Sequence, residues 1–276
     1  MAIQSLFYIS QSVVIMREKD SPDSSIISQA CYGEAVSVID EGKEKWTKIQ
    51  MKDDGYSGWI ENKEKVLSSY PIDAFANSPS IIITTRLQAH IYSSADTERG
   101  PIMSLPFGSP LNVLNQENDR WIKIALLSGK KAFVQRGDTD LSDQPTKGLI
   151  EFSKKFLGLP YFWGGRSSLN GFDCSGFIQF LFKQKGIQLP RDSKDQHSWK
   201  GFKPVEISKM KQEDLIFFGR DENKIRHVGM YIGNNQFIHS TVAENQPWIR
   251  ISNLSDKNWN GDPNNTYPLR SARRLN

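Results

Sequence analysis

Two kinds of residue in the C-terminal half of this sequence could do chemistry together. Cys174 lies within the segment Phe172–Phe177, and the chain has four histidines: His90, His197, His227 and His239. A cysteine attacks carbonyl carbon when a neighbouring base takes its proton, and a third polar group usually holds that base. These residue types indicate nucleophilic cysteine catalysis. The alternative for Cys174 is an inert core residue.

The residues that follow Cys174 predict a buried helix. Phe177, Ile178, Leu181 and Phe182 recur at helical spacing, and Gly186 ends the pattern. Cys174 would then lie in the first turn of the helix. The unpaired amides and the positive end of the helix dipole there favour the thiolate, so we expect the pKa of the thiol to be lowered.

His227 and His239 flank a predicted hairpin. A three-residue turn at 233–235 would pair Ile232 with Gln236, and it would place the two imidazoles on the same face of the sheet. A two-residue turn would put them on opposite faces. The alternative is that both histidines are ordinary polar residues on an exposed face.

The N-terminal half contains a repeat. Two segments recur at an offset of 75 residues and a third recurs one residue out of step, as a loop deletion would produce; the pairs are 33–38 with 108–113, 46–49 with 121–124, and 58–60 with 132–134. Each copy has short alternating strands and no amphipathic helix. Two small β-barrels are predicted.

The last part changes to helices followed by strands, which predicts an α+β domain. The expected helices are 148–157, the one after Cys174, and a short one capped by Ser193 and ending at His197. The expected strands are 215–218, 227–232 and 236–239. Linker composition at 68–71, 76–80 and 143–146 gives predicted domains of 1–69, 80–142 and 147–276.

Composition excludes several classes of protein. The net charge of +4 over 276 residues forms no basic stripe, which argues against nucleic-acid binding. Two distant cysteines make neither a disulfide framework nor a zinc site, and Cys31 is expected to be a small core residue. We expect no metal, no cofactor, no membrane span and a monomer. The first residues do not resemble a signal peptide, so a cytoplasmic location is expected, with periplasm or cell wall as alternatives.

Six motifs in order resemble the NlpC-type cell-wall endopeptidases, a papain-like family. They cover roughly residues 148–252 and comprise Tyr161–Gly165, Asp173–Phe177, Leu189–Ser193, Asp214–Phe218, His227–Gly233 and His239–Ser240. One departure is Glu213, where the family usually has glycine in a turn. The first repeat copy resembles bacterial SH3-like modules through Gly55–Ile60, whereas the second copy is degenerate and has Lys130 where the first has Tyr56.

This resemblance implies a role for each matching residue. Cys174 would be the nucleophile, His227 the base and His239 the group that orients His227. Tyr161 would border the site and help to stabilise the oxyanion. Contacts to the substrate's free N-terminal amine would come from Glu34, Tyr56, Asp173 and Ser175. Ser193 would be a further residue in contact with the substrate. For Asp173 the alternative is a helix cap without a substrate role, and for Glu34 and Tyr56 it is an ordinary place on the surface.

The resemblance therefore implies a cysteine endopeptidase that cleaves the γ-D-Glu–diaminopimelate bond of peptidoglycan peptides with a free N-terminal L-Ala. Recycling of released peptides and remodelling of the wall are both open. One alternative is an amidase or acyltransferase with the same site. Another is a non-catalytic protein that binds wall material or a partner through its SH3-like modules.

Overall fold

The computed structural model describes residues 6–69, 81–141, 148–260 and 268–276. The chain divides into two compact units, Met1–Gln144 with Ser167–Leu169, and Pro145–Arg166 with Asn170–Asn276. The predicted linkers 76–80 and 143–146, and the first five residues, lie outside the described residues. Of the linker predicted at 68–71, Ser68 instead ends a strand and pairs with Tyr8.

The first unit opens with a seven-stranded antiparallel sheet. Its strands are β1 (Leu6–Ile9), β2 (Val13–Arg17), β3 (Ile26–Cys31), β4 (Ala35–Glu41), β5 (Trp46–Met51), β6 (Ser57–Glu61) and β7 (Leu67–Ser68). They lie in the order β3-β2-β6-β5-β4-β1-β7. A single helical turn, α1 (Lys63–Val66), precedes β7 and buries no residue. Apolar residues at alternate strand positions, including Val36, Ile49 and Ile60, form the core.

A second seven-stranded sheet repeats this design. Its strands are β8 (Ile81–Thr84), β9 (Gln88–Tyr92), β10 (Met103–Pro106), β11 (Pro110–Gln116), β12 (Trp121–Ala125), β13 (Lys131–Gln135) and β14 (Thr139–Leu141). The order β10-β9-β13-β12-β11-β8-β14 matches the first sheet strand for strand. The repeat in the sequence is therefore a repeat in topology.

Register details confirm the two offsets. The β4–β5 ladder has a bulge between Val38 and Asp40, and the β11–β12 ladder has one at the positions 75 residues later. Six residues lie between the paired residues Gln50 and Ser57, but only five lie between Ala125 and Lys131. The single deletion predicted from the sequence is thus in the loop that joins β12 to β13.

Tyr32 joins the cores of the two sheets. It follows β3 of the first sheet, yet its ring is 2% exposed and belongs to the apolar cluster of the second sheet. Its hydroxyl accepts a hydrogen bond from the Leu127 N–H at 2.8 Å. Burial raises the pKa of Tyr32 to about 12. The two barrels therefore share packed residues within one unit. Cys31, expected to be a core residue, is only half-buried.

The second unit combines short helices with a six-stranded antiparallel sheet, which confirms the α+β class. The helices are α2 (Leu149–Lys154), α3 (Cys174–Lys183) and α4 (Ser193–His197). A small ribbon joins β15 (Arg166–Ser167) to β16 (Gly171–Phe172). The main sheet contains β17 (Phe202–Val205), β18 (Leu215–Gly219), β19 (Ile225–Gly233), β20 (Gln236–Thr241), β21 (Trp248–Asn253) and β22 (Leu269–Leu275), ordered β17-β22-β18-β19-β20-β21.

Helix α3 begins and ends as its sequence predicts. Phe177, Ile178 and Leu181 are fully buried, and Gly186 has the left-handed backbone (φ +72°) that ends many helices. For α4, the N-cap is Asp192 and not Ser193, because Asp192 has the extended backbone of a cap and Ser193 is already helical.

Glu213 takes the conformation for which the family uses glycine. Its φ of +72° costs a non-glycine residue conformational energy. Its side chain offsets part of that cost by accepting from the Leu149 N–H at 3.0 Å and from Lys185 at 2.5 Å. The departure from the family motif therefore preserves the turn.

No helix in the described part of the chain is both long enough and apolar enough to span a membrane.

Candidate active site

Cys174 is the first residue of α3, and it lies against β19. Its side chain is largely buried, with 8% of the residue exposed. The backbone N–H groups of Val228 and Ser175 lower the pKa of its thiol. Val228 directly follows His227, so the thiol lies beside the strand that carries the predicted base.

The protonation state of Cys174 differs from the sequence-based expectation. Burial, and after it the negative charge of Asp173, raises the pKa of the thiol to about 12, although the two N–H groups and Arg191 act in the opposite direction. Burial disfavours the charged form, and here it outweighs the helix N-terminus. With a pKa of about 12, Cys174 is a neutral thiol at neutral pH.

The turn of the hairpin differs from the one predicted, yet the faces are as expected. Gly233 pairs with Gln236, so the turn contains only Asn234 and Asn235, both with positive φ. An irregularity between Tyr231 and Gly233 then shifts the ladder by one residue. On the side of this irregularity away from the turn, the strands pair in the predicted register, with Tyr231 opposite Phe237 and Met230 opposite Ile238. The bulge therefore compensates for the shorter turn.

The two histidines of the hairpin are in contact. His227 Nε2 lies 2.7 Å from His239 Nδ1, and His239 Nε2 lies 3.0 Å from the Ser252 hydroxyl. His227 is 6% exposed and His239 is fully buried. Trp259 covers both rings, with centroid distances of 5.2 Å to His227 and 4.9 Å to His239.

Burial keeps both imidazoles neutral. It lowers the pKa of His227 to about 3, with a smaller contribution from the charge of Arg250. The pKa of His239 is also lowered, first by burial and then by the charges of His227 and Arg250. A neutral imidazole has a lone pair that can accept a proton, which a general base requires.

Asp173 caps α3, as one of the two sequence-based alternatives predicted. Its carboxylate accepts from the Gly176 N–H at 2.7 Å and from the Gly164 N–H at 3.1 Å. Arg191, itself 2% exposed, donates to both carboxylate oxygens at 2.6 and 3.1 Å. Asp173 is thus neutralised by a buried cation. Its role toward substrate stays a prediction.

Ser175 and its neighbours extend this network. Arg191 donates to the Ser175 hydroxyl at 3.0 Å, and Gln196 of α4 donates to the Ser175 carbonyl at 3.0 Å. A Cβ at Gly176 would lie 2.1 Å from the Gly165 carbonyl oxygen, so only glycine allows this close approach. The Trp-Gly-Gly segment and the start of α3 are therefore held together by packing.

The remaining predicted residues lie in different places. Tyr161 is half-buried, and its backbone bridges Phe172, two residues before Cys174. Ser193 is half-buried in the first turn of α4. Glu34 and Tyr56 belong to the first unit. Glu34 accepts from the Cys31 N–H at 2.8 Å, and Tyr56 packs against the core of the first barrel. Their roles in binding substrate stay predictions.

Three residues around the histidines and Asp173 were not found from the sequence. Arg191 could have been noted in the Leu-Pro-Arg motif, because arginine is rarely buried without a carboxylate partner. Ser252 and Trp259 had no local signal, since β21 was not predicted. Their positions depend on strand pairing and on a turn far from the motifs.

Family models match two parts of the chain. Residues 158–263 match the NlpC/P60 family, and residues 16–64 match the bacterial dipeptidyl-peptidase Sh3 domain. The first match contains the Cys174 helix and the histidine hairpin. The second lies within the first barrel.

Relatives that align with most of this chain agree. A γ-D-glutamyl-L-lysine dipeptidyl-peptidase of Bacillus cereus (strain ATCC 10987 / NRS 248) is 33% identical over 79% of this chain and 68% of its own length. One from Bacillus subtilis (strain 168) is 34% identical over 79% of this chain and 73% of its own length. A crystal structure of an NlpC/P60 family protein from Bacillus cereus ATCC 10987 is 28% identical with a TM-score of 0.80, covering 98% of this chain and 99% of that one. This chain therefore belongs to the NlpC/P60 family of cysteine peptidases, and it carries its NlpC/P60 domain after a bacterial SH3 domain.

Proposed function

We propose that this chain is a cysteine endopeptidase that hydrolyses the γ-D-Glu–diamino-acid bond of peptidoglycan-derived peptides with a free N-terminal L-Ala. The single observation that carries the chemistry is the His227–His239 contact on the strand against which the Cys174 thiol lies. The substrate class is supported by the two curated relatives, both named as γ-D-glutamyl-L-lysine dipeptidyl-peptidases.

In the acylation step, His227 takes the proton from the Cys174 thiol while the sulfur attacks the γ-carbonyl carbon of D-Glu. Because both groups are neutral at rest, proton transfer accompanies attack and does not precede it. The carbonyl oxygen becomes an oxyanion, which the Cys174 N–H at the helix start and the Tyr161 hydroxyl stabilise. His227 then protonates the amine of the diamino acid as the C–N bond breaks.

The second half of the reaction regenerates the enzyme. A thioester joins Cys174 to the dipeptide L-Ala-γ-D-Glu. His227 removes a proton from water, and the resulting hydroxide attacks the thioester carbon. The C–S bond breaks, and the sulfur leaves with the proton that His227 had gained. His239 holds the ring of His227 throughout, which makes it a positioning residue.

Recognition of the free amine is proposed for Glu34, Tyr56, Asp173 and Ser175, and a contact with the substrate is proposed for Ser193. Since Arg191 already balances the charge of Asp173, the negative charge that attracts an ammonium group would come from Glu34. In intact wall the L-Ala nitrogen forms an amide, so a demand for a free amine favours released peptides. We therefore propose a role in the recycling of wall peptides.

Mass spectrometry of L-Ala-γ-D-Glu-diaminopimelate, and of the matching L-lysine peptide, tests the reaction. We expect release of L-Ala-γ-D-Glu under reducing conditions. Cys174→Ala and His227→Ala should give no turnover above background. His239→Ala should retain measurable residual activity, because an orienting group usually contributes less to catalysis than the base. Intact peptide with the wild-type protein would refute the proposed activity.

Comparison of free and N-acetylated peptides tests the amine pocket. We expect wild-type protein to prefer the free amine by at least 100-fold in kcat/KM, on the order expected when a polar pocket is left unpaired. The double variant Glu34→Ala/Tyr56→Phe should lose most of that preference. If wild type cleaves both peptides equally, or if the double variant keeps the full preference, these two residues do not bind the amine.

A further inference from the structure

We propose that Ser252 is a positioning residue that fixes which ring nitrogen of His227 holds a lone pair. Ser252 is on β21, the edge strand, and is 3% exposed. Its hydroxyl is 3.0 Å from His239 Nε2, and His239 Nδ1 is 2.7 Å from His227 Nε2. The three groups form one buried hydrogen-bonded series. The inference rests on the proposed function only for its effect on turnover.

Two directions of hydrogen bonding are possible in this series. In the first, His227 Nε2–H donates to His239 Nδ1, and His239 Nε2–H donates to the Ser252 hydroxyl. His227 Nδ1 then has the lone pair. In the second, each hydrogen bond has the opposite direction. The Ser252 hydroxyl donates to His239 Nε2, and His239 Nδ1–H donates to His227 Nε2. His227 then carries its proton on Nδ1.

Proton transfer from the Cys174 thiol requires the first direction. His227 Nε2 is engaged by His239, so the thiol proton has to go to Nδ1. Once His227 is an imidazolium, both its nitrogens carry protons, and its Nε2–H must still donate to His239 Nδ1. His239 therefore keeps its own proton on Nε2 and donates it to an acceptor. In the described structure the group that accepts there is the Ser252 oxygen.

Removing that oxygen changes the balance between the two directions. His239 is fully buried, so an Nε2–H without an acceptor would bear the full cost of its lost hydration. Moving the proton of His239 to Nδ1 avoids an unpaired buried N–H. That tautomer forces the proton of His227 onto Nδ1, where the thiol proton must be received. Ser252→Ala should therefore lower kcat with little change in KM, because Ser252 lies behind His239.

A second serine–histidine pair, between Ser271 of β22 and His197 of α4, provides a control. The Ser271 hydroxyl lies 2.9 Å from His197 Nε2. Arg273, which can only donate, lies 2.8 Å from the same nitrogen. His197 Nε2 therefore accepts, and Ser271→Ala removes a serine that donates to a histidine instead of one that accepts from it. Neither residue has a place in the proposed catalytic series. Ser252→Thr keeps the hydroxyl and adds a methyl group that a β-strand tolerates. Ser252→Thr therefore distinguishes the effect of losing the oxygen from the effect of altered packing.

The test is two-bond ¹H–¹⁵N correlation NMR of the full chain labelled at its four histidines, which reports the protonated nitrogen of each ring without substrate. In wild type at neutral pH we expect His227 and His239 to be Nε2–H tautomers. In Ser252→Ala both should shift toward the Nδ1–H tautomer, and kcat should fall about tenfold or more, as for loss of a hydrogen bond that supports a charged group. Ser252→Thr should restore the wild-type tautomers and kcat, and Ser271→Ala should leave kcat and the tautomers of His227 and His239 unchanged.

Two results would overturn the proposal. One is an Nδ1–H tautomer at His239 in wild type, which would mean that Ser252 donates. The other is a Ser252→Ala protein with unchanged tautomers at both histidines. If the tautomers behave as expected but no peptide is cleaved, the proposed function fails and the role of Ser252 stands. If Ser252→Ala does not fold, the wild-type and Ser252→Thr spectra still decide the direction.

Discussion

Burial sets the chemistry of Cys174 more strongly than its place on a helix. Two backbone N–H groups lower the pKa of the thiol, which lies at a helix start, and both features favour a thiolate. Burial nevertheless raises its pKa to about 12 and lowers that of His227 to about 3. The resting site is therefore a neutral thiol beside a neutral imidazole, and attack on a carbonyl needs simultaneous proton transfer.

This state gives a prediction for the reactivity of the free protein. At neutral pH Cys174 should show no thiolate absorbance in the ultraviolet difference spectrum between wild type and Cys174→Ser. Iodoacetamide should alkylate it no faster than the half-buried Cys31, since a protonated thiol is a poor nucleophile. Peptide mapping measures both rates. A thiolate band at neutral pH together with fast alkylation of Cys174 would mean that the helix end outweighs burial.

At the scale of elements, the start of α3 depends on one ion pair. Asp173 accepts the Gly176 N–H of the helix and the Gly164 N–H of the preceding loop, and Arg191 neutralises it from the segment before α4. Helix, loop and segment thus meet at one carboxylate. A buried pair of this kind stabilises mainly because each charge would be unpaired without the other.

Asp173→Ala should destabilise the second unit by about 3–5 kcal/mol, because it leaves the Arg191 guanidinium buried without its partner and removes a helix cap. Asp173→Ala/Arg191→Met should recover part of this loss, since it removes the unpaired charge. Urea unfolding followed by intrinsic fluorescence measures the shift in midpoint. A double variant as unstable as Asp173→Ala alone would show that the cap, and not the ion pair, dominates.

At the scale of the whole molecule, the buried groups of the site limit the pH range of stability. His227 and His239 have lowered pKa values when folded, so the unfolded chain binds more protons below about pH 6.5. Stability should fall as pH decreases from there. Cys174 has a raised pKa when folded, so the unfolded chain loses its proton first, above about pH 8.5. Stability should fall again as pH rises.

Thermal unfolding across pH measures this window. We expect maximal stability between about pH 6.5 and 8.5. Cys174→Ser should reduce the loss of thermal stability at alkaline pH, because serine does not titrate in that range. Below about pH 10, the ordinary value for tyrosine, Tyr32 is protonated in both states and does not interfere. If Cys174→Ser loses stability with rising pH as steeply as wild type does, another group causes the loss.

Local patterns and one internal repeat in the sequence determined much of the fold of this protein. The helix after Cys174, its end near Gly186 and the presence of two similar β-modules follow from local periodicity and from the repeat. The family resemblance also followed from ordered motifs. These features depend on residues near one another in the chain or on a pattern that occurs twice, so a reading of the sequence can detect them.

Tertiary structure decided what depends on distant partners. The bulge that keeps His227 and His239 on one face, the Ser252 hydroxyl behind them and the Arg191 partner of Asp173 all arise from pairing across the fold. The protonation state of Cys174 also depends on the tertiary structure. A helix N-terminus is visible in the sequence, whereas the desolvation that outweighs it exists only once strands and rings have closed around the thiol.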